Sequence, residues 1–321
     1  MVSGCLRSTR EPRRLRVGHL HLSRPLPVPQ DVTSRHLIPL LFVTLWSTGF
    51  IGAKYGLPAA EPFTFLGVRM LIAVLALGVL IPLFRVRWPG RPRDYLHIAV
   101  VGVLVHGVYL GGVFSAIYRG VDAGLSAVIV GLQPLVTVLL SAVWLKEDLG
   151  RLKMLGMFIG LAGITIVIGE RGIGITGISA TGLGLCVASL LAISYGTLYQ
   201  KRFCTDFDLL PGVLVQYVAA GVFYWVLAFT LESRDIYWSP RFVLALGWLV
   251  LVLSLGAVLL LMWLIRHGEA GRVASLFYLV PPLVAVEAWL LFGERLSAVA
   301  VGGIALCVLG VAMVMKSPGR M

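Results

Sequence analysis

The chain has 321 residues, of which 58% are hydrophobic and 13% charged, and its mean hydropathy is +0.92. Soluble domains carry about 25% charged residues, so this chain has too little polar surface to remain in water, which excludes a soluble domain. A net charge of +12 could indicate a nucleic-acid partner, but the basic residues lie mainly in the N-terminal tail and in alternate short loops. That distribution is typical of membrane proteins, whose basic loops face the cytoplasm.

The apolar residues form long blocks, each about as long as the 20 helical residues that cross a hydrocarbon core of roughly 30 Å. They predict an all-α integral membrane protein with ten spans. In chain order the predicted spans are residues 36–56, 63–84, 95–118, 123–145, 152–169, 181–201, 210–231, 242–266, 272–292 and 297–315.

Residues 1–35 are rich in Arg and Pro and show little apolar periodicity, so we expect a disordered basic cytoplasmic tail. The tail lacks the apolar core of a signal peptide; an organellar transit peptide and a mis-assigned start codon remain alternatives. With the N-terminus inside, roughly 20 Lys and Arg residues fall on the cytoplasmic side and about six outside. We therefore expect a multi-pass protein of the plasma or inner cell membrane with both termini in the cytoplasm.

The two halves of the chain align with each other at an offset of 147 or 148 residues. Such self-similarity indicates a duplication, with one copy in residues 36–169 and the other in 181–315. Since five spans is an odd number, the second copy must enter the membrane from the opposite side, which predicts two inverted five-helix repeats. The matched residues are Ser47, Gly49, Lys54, Glu61, Pro134, Glu147, Gly156 and Gly163 with Ser194, Gly196, Lys201, Asp208, Pro282, Glu294, Gly303 and Gly310.

Three motifs resemble those of a known carrier family. The first is the run from Trp46 to Gly49, and the second is Glu61-Pro62-Phe63 followed by Arg69. The third is a Pro-then-Glu pattern near the end of each half, followed by a Gly-rich span. On these residues the chain resembles EamA family transporters of the drug/metabolite transporter superfamily. The resemblance implies a ten-helix bundle whose central cavity is lined by the first four helices of each half, with the fifth and tenth helices peripheral.

Arg69 is the most informative charged residue, because placing a charge at the bilayer centre costs about 2.5–3.5 kcal/mol even on the lenient insertion scale. It is the seventh residue of its predicted span, roughly 9 Å from the outer end of the helix. One interpretation is that it snorkels to the interface or braces backbone carbonyls. The other is that it faces the cavity and attracts an anionic or zwitterionic solute, and its polar counterpart Gln216 favours an inward-facing position.

Glu287 is the one carboxylate that we place well inside the hydrophobic core. It is our candidate for proton coupling, because a carboxyl group there can bind and release a proton; the alternative is a neutral Glu hydrogen-bonded between helices. His106 in the third span can likewise titrate or simply pack.

Further cavity candidates are an amide, paired prolines and aromatic rings. Prolines interrupt helical hydrogen bonding and free carbonyls that can contact a solute, although the kinks can also be purely structural. Aromatic rings can line a cavity or pack between helices. The candidates for cavity lining are Trp46, Tyr109, Gln133, Tyr195 and Tyr278, and those for helix breaks are Pro134, Pro281 and Pro282.

Two charged pairs lie at matched positions of the halves and therefore at opposite membrane faces. We offer Lys54 with Glu61, and Lys201 with Asp208, as gate candidates, against the alternative that they snorkel at the interfaces. Glycines such as Gly156 and the Gly302-Gly303 pair are interpreted as helix-packing surfaces.

No metal, cofactor or disulfide is expected from the sequence. Cys5, Cys186, Cys204 and Cys307 form no CxxC pair, and there is no Walker A motif, nucleophile elbow or HExxH. Gly172, Gly174 and Gly177 formally match GxGxxG, but they follow a membrane span rather than a strand.

These observations predict a secondary transporter that moves small metabolites by alternating access. Export of amino acids or related solutes is one option for its activity. We do not expect an enzyme. We expect a small-molecule solute and the lipid bilayer as partners, no nucleic acid, and leave a homodimer open. A passive channel is one alternative. An integral-membrane enzyme acting on lipid-like substrates is another, although it would normally show clustered Asp, His or Glu at a membrane face, and no such cluster is found.

Overall fold

A computed structural model of the chain describes residues 32–145, 150–171, 179–204, 207–257, 259–260, 279–294 and 296–316. Of the features named above, residues 1–31 of the predicted tail, Cys5 among them, lie outside these ranges, as do Glu147, Tyr278 and the GxGxxG match.

The described chain is built from α-helices, without a β-strand in the ranges given above. Short 3₁₀ turns follow α1 and α2, at Leu57–Ala59 and Ile81–Leu83. π-Helical segments join α3 to α4, at Gly102–Val108, and follow α10, at Leu249–Ala257. The helices are α1 Val32–Gly56, α2 Pro62–Leu80, α3 Pro92–Val101, α4 Tyr109–Tyr118, α5 Ala123–Val130, α6 Gln133–Leu145, α7 Arg151–Arg171, α8 Ala180–Phe203, α9 Leu209–Leu231, α10 Pro240–Trp248, α11 Val280–Phe292 and α12 Ala298–Lys316.

Eight helical stretches among the described residues are long and apolar enough to cross a membrane, and α11 and α12 contain two shorter apolar helices. Large apolar side chains such as Leu75, Val79, Phe229 and Leu244 are exposed on the outside of the bundle. An apolar exterior of this kind is suited to lipid, because lipid tails are as apolar as the side chains that meet them. The protein is therefore a multi-pass membrane protein.

Proline fixes where several of these helices begin. Pro134 lies in the first turn of α6, after α5 has ended at Val130, and Pro281 and Pro282 lie in the first turn of α11. Proline lacks the backbone N–H that a helix interior requires, so it is tolerated in the first turn, where that donor would be unpaired. The predicted fourth span is accordingly two helices with a short break at Gly131 and Leu132.

Helices that are 147 residues apart make matching contacts. α2 packs against α9, and α7 against α12, so each of these pairs joins equivalent helices of the two halves. Likewise α1 contacts α10 and α11, while its counterpart α8 contacts α3 and α6, which are the counterparts of α10 and α11. The helix packing thus follows the same offset as the sequence alignment.

The contact between α7 and α12 depends on glycine. A Cβ atom added at Gly163 would lie 2.6 Å from the carbonyl oxygen of Gly303, and one added at Gly310 would lie 2.5 Å from that of Gly156. These positions let the two backbones approach closely, as small residues do in membrane helix pairs. Gly302, by contrast, has no atom within 4 Å of an added Cβ.

Candidate functional site

A cavity of about 100 Å³ lies between helices from both halves of the chain. One ordered water needs about 10–15 Å³ on this scale, so there is room for a small solute of several non-hydrogen atoms. The resemblance implied a lining from the first four helices of each half. The described lining residues come from the first three spans of each half. They are Trp46, Gly49, Phe50, Arg69, Val105, His106, Tyr109, Leu110, Val113, Phe114, Ile193, Tyr217 and Leu253.

Arg69 extends from α2 into this cavity and is 6% exposed. Its Nε donates a hydrogen bond to the hydroxyl of Ser254, 3.1 Å away and fully buried in the second π-helical segment. Within the described part of the chain, Arg69 forms no ion pair. The described residues thus place a permanent cation at the wall of the cavity and no carboxylate in contact with it.

His106 lies in the first π-helical segment, and its Nε2 is 3.1 Å from Oε1 of Gln216 on α9. The ring also meets that of Tyr217 edge to face, with centroids 4.8 Å apart. The predicted counterpart of Arg69, Gln216, is therefore buried beside the cavity and holds a lining residue, although it does not line the cavity itself.

The two π-helical segments explain how polar groups are presented here. Hydrogen bonds in a π-helix run between residues five apart, and such segments occur frequently at functional sites. The hydroxyl of Tyr224 faces the carbonyls of both His106 and Gly107, the second at 2.9 Å, and shares its single proton between them. Tyr217 donates to the carbonyl of Ser254 at 3.2 Å. Buried tyrosines of α9 therefore satisfy carbonyls of both segments.

Glu287 on α11 is half-buried and contacts the first span. Oγ of Ser47 lies 2.6 Å from Oε1 of Glu287 and 2.7 Å from the carbonyl of Thr44. Oε2 of Glu287 is shielded from solvent and has no hydrogen-bond partner among the described residues. The carboxyl group bridges α1 and α11 next to a lining residue, Trp46, but does not line the cavity.

Four other predicted cavity residues have different positions. Tyr109 and Trp46 line the cavity, whereas Tyr195 is 39% exposed and stacks on Trp144, with centroids 5.3 Å apart. Gln133 contacts Thr197 on α8 at 3.4 Å, away from the cavity. Tyr195 was predicted to line the cavity as an amphipathic ring, and Gln133 because it stands beside the helix break at Pro134. Both side chains instead contact residues that are not part of the described lining.

The gate candidates pair differently from the sequence-based hypothesis. Lys54 forms an ion pair with Glu294, next to α11, instead of with Glu61. Glu294 also accepts from the backbone N–H groups of Ala123 and Gly124, at 3.3 and 3.4 Å, and so caps the start of α5. Lys201, the counterpart of Lys54, is exposed and makes no ion pair with any residue that the structure describes.

Glu61 and Asp208 instead hold equivalent loops. Glu61 accepts hydrogen bonds from the backbone N–H and hydroxyl of Ser233, at 2.7 and 2.8 Å. Asp208 accepts from the backbone N–H of Arg87 at 2.8 Å, and the Arg87 guanidinium lies 3.7 Å away. Glu61 thus stands just before α2 and holds the loop that follows α9. Asp208 stands just before α9 and holds the loop that follows α2.

Ser254, Tyr217 and Tyr224 contribute to the site and were not among the sequence-based candidates. A signal for Tyr217 was its place next to Gln216, the counterpart of Arg69. Ser254 is one polar residue in an apolar run, and nothing in its spacing marks it out. No group of three or more His, Cys, Asp or Glu side chains suited to a metal ion occurs in the described ranges.

Comparison with known proteins gives a consistent result. The model of the EamA-like transporter family matches the chain twice, at residues 35–169 and 180–316. The chain is 30% identical over 284 residues to the uncharacterized transporter YvbV of Bacillus subtilis, covering 88% of this chain and 92% of that protein. It is 28% identical over 294 residues to the uncharacterized inner membrane transporter YedA of Escherichia coli K12, covering 89% and 93%.

Two further similarities are more distant. A probable amino-acid metabolite efflux pump of Salmonella typhimurium is 24% identical over 284 residues, with 85% of this chain and 92% of that protein covered. A solved crystal structure with 22% sequence identity superposes with a TM-score of 0.61 and covers 88% of this chain and 96% of that one. This second likeness shows a common fold.

Proposed function

Because the chain belongs to the EamA-like transporter family of the drug/metabolite transporter superfamily, we propose that it is a secondary carrier that moves small metabolites across the cell membrane by alternating access. The distant relative named as a probable amino-acid metabolite efflux pump supports export of amino acids or related solutes as the direction and substrate class.

The proposed architecture is ten spans in two inverted five-helix repeats with both termini in the cytoplasm. The double match to the family model and the contacts of α2 with α9 and of α7 with α12 support it. In inverted repeats, exchanging the conformations of the two halves moves the open side of one site from one membrane face to the other.

The observation that carries the proposal is the cavity between the first three spans of each half. Its walls are mainly apolar, with a few polar groups at Arg69, His106 and Tyr109. This combination is typical of sites that bind small molecules. A site built jointly by two repeats is also where inverted-repeat carriers bind their substrates.

We propose Glu287 as the residue that exchanges a proton during transport. The Ser47 hydroxyl has a single proton, yet two acceptors lie within hydrogen-bond distance of its oxygen, the carbonyl of Thr44 and Oε1 of Glu287. Both contacts become hydrogen bonds when Glu287 is protonated and donates to Ser47, which in turn donates to Thr44. Loss of that proton would turn the Ser47 hydroxyl toward the carboxylate and away from the carbonyl of Thr44, so the hydrogen bonding between α1 and α11 changes with protonation.

We propose that Lys54 and Glu294 form a gate at one end of the cavity-forming helices. The ion pair connects the end of α1 with the end of α11, and Glu294 also caps α5. Opening this end requires the pair to separate. Lys201 occupies the equivalent position at the opposite end, and we retain it as the matching gate candidate; Glu61 and Asp208 are assigned to loop fastening.

Counterflow in proteoliposomes tests the carrier. The purified chain is reconstituted with an unlabelled solute inside, and uptake of the labelled solute is followed for amino acids and related metabolites. A carrier gives saturable uptake with a transient overshoot, because inward and outward steps use the same site. Uptake that rises linearly with concentration and never overshoots would instead indicate a channel.

A further inference from the structure

The charges at the cavity wall are one-sided. Arg69 is a permanent cation, and none of the described lining residues is a carboxylate. A guanidinium has five N–H donors, and the only hydrogen bond that described residues offer Arg69 uses Nε, toward Ser254. Burying an unpaired charge is costly, so the remaining donors at the cavity favour an anion as the missing partner.

The geometry of the Arg69 guanidinium favours a carboxylate over other anions. Its planar fork matches the two oxygens of a carboxylate, which it can bind with two parallel hydrogen bonds. Phosphate fits the same fork, but it carries more charge and more oxygens that need donors. The described lining offers four other side-chain donors, Trp46, His106, Tyr109 and Tyr217. Of these, His106 already contacts Gln216 and Tyr217 already donates to the carbonyl of Ser254.

The opposite walls are apolar. They are formed largely by aliphatic and aromatic side chains that can offer only dispersion contacts and exclusion of water: Phe50, Leu110, Val113, Phe114, Ile193 and Leu253. A solute that fills the cavity therefore gains from an apolar body attached to its carboxylate.

An ammonium group finds little to bind here. The carbonyls of His106 and Gly107 lie against the hydroxyl of Tyr224, a residue that is not part of the described lining. A cation beside Arg69 would also be repelled, since like charges in a medium of low polarity interact strongly. The cavity walls thus recognise one end of an amino acid and not the other.

We propose that the cavity binds small organic acids with one carboxylate and an apolar body, that Arg69 holds the carboxylate, and that no ammonium group is required. This inference rests on the proposed carrier function and narrows its substrate class. An apolar amino acid is accepted through its carboxylate, whereas an organic amine is rejected.

Four ligands with a common branched body separate the contributions to binding: isocaproate, the neutral isocaproamide, zwitterionic leucine and cationic isoamylamine. Affinities are measured by isothermal titration of the purified full chain in detergent. Replacing a charge-assisted hydrogen bond with a neutral one loses about tenfold or more in affinity. We expect isocaproate to bind at least about tenfold more tightly than isocaproamide, leucine to bind no more tightly than isocaproate, and isoamylamine to bind most weakly.

The matched variant is Arg69→Gln, which introduces the residue that stands at the equivalent position 216 of the other half. It should weaken binding of isocaproate by about tenfold or more and leave isocaproamide nearly unchanged. Arg69→Lys should fall between, because a lysine keeps the charge but loses the fork. Unchanged isocaproamide affinity also verifies folding; if Arg69→Gln does not fold, the four ligands on the unaltered protein decide the matter.

The inference is overturned if isoamylamine or leucine binds more tightly than isocaproate, or if Arg69→Gln weakens acid and amide equally, as a purely structural role would. Counterflow with the same ligands separates this inference from the carrier function. Acid-selective, Arg69-dependent binding without counterflow would refute the carrier and keep the site. If another solute shows counterflow and Arg69→Gln does not change that counterflow, the carrier function stands and the proposed site is refuted.

Discussion

The first half of the chain contributes Arg69 and His106 to the cavity wall, whereas the equivalent positions of the second half are Gln216 and Leu253. Both positions of the first half carry groups that can be charged, and neither of the second half does. The side chains nevertheless meet, since Gln216 contacts His106 and Arg69 contacts Ser254, the residue after Leu253.

Other equivalent positions have kept the same role in both halves. Glu61 and Asp208 each fasten a loop, and glycines of α7 and α12 face one another across a close helix contact. The π-helical segments begin at Gly102 and Leu249, which are also 147 residues apart. The comparison indicates that the shared positions maintain the framework, whereas the diverged positions carry the polar groups of the cavity that we propose as the solute site.

The contrast between shared and diverged positions is tested by the largest effect at Glu287, whose equivalent in the first half is Leu140. Glu287→Gln should abolish flux driven by a pH gradient in proteoliposomes while counterflow continues, because glutamine keeps the shape and the Ser47 contact but binds no proton. Ser47→Ala, which removes the hydroxyl and keeps the carboxyl group, should retain coupling. Undiminished pH-driven flux in Glu287→Gln would remove Glu287 from the mechanism.

A somewhat smaller effect is expected at Lys54 and Lys201. Breaking a partly buried ion pair costs about 1–3 kcal/mol, between the values for exposed and buried pairs, and shifts a two-state equilibrium about 5- to 150-fold. Lys54→Gln should therefore increase labelling of a cysteine at the lining position Val105 by an impermeant maleimide added at the Lys54 face. The assay compares right-side-out and inverted membrane vesicles.

Lys201→Gln is the matched comparison, because Lys201 is exposed, has no ion pair with a described residue and lies at the opposite end. Its change should alter labelling from the Lys54 face less than about twofold. If Lys54→Gln and Lys201→Gln change the labelling equally, the two ends do not differ, and the proposal of a gate at Lys54 fails.

The smallest effect distinguishes two neighbouring glycines of α12. An added Cβ at Gly303 would lie 2.6 Å from Cγ2 of Val167 and 2.8 Å from the carbonyl oxygen of Gly163, so Gly303→Ala should cost about 1–3 kcal/mol. Gly302→Ala meets no atom within 4 Å and should be neutral or slightly stabilising. Thermal unfolding in detergent measures both. Equal melting temperatures would mean that the α7–α12 contact is looser than described.

The helical framework could largely be predicted from hydropathy, because the length of an apolar block is set by membrane thickness. The predicted second, fifth and seventh spans agree with α2 and its 3₁₀ extension, with α7 and with α9 to within two residues. Eight described stretches have the length of a span; the count of ten remains a prediction.

The site was harder to predict, because contacts between helices depend on which face each helix turns inward. Arg69 was found because a charge in an apolar span is conspicuous. Tyr195 was placed in the cavity as a polar aromatic, yet it stacks on Trp144. Lys54 was paired with Glu61, close in sequence, but the ion pair forms with Glu294, 240 positions away.

The π-helical segments also change how this chain can diverge. In an α-helix each residue advances the side chains by about 100° around the axis, and a wider turn breaks that regular progression. A helical wheel drawn through Pro92–Tyr118 would therefore assign side chains on either side of Gly102–Val108 to the wrong faces. Deleting a single residue there would turn a different set of side chains toward the cavity, so a relative could acquire a different cavity lining without any substitution.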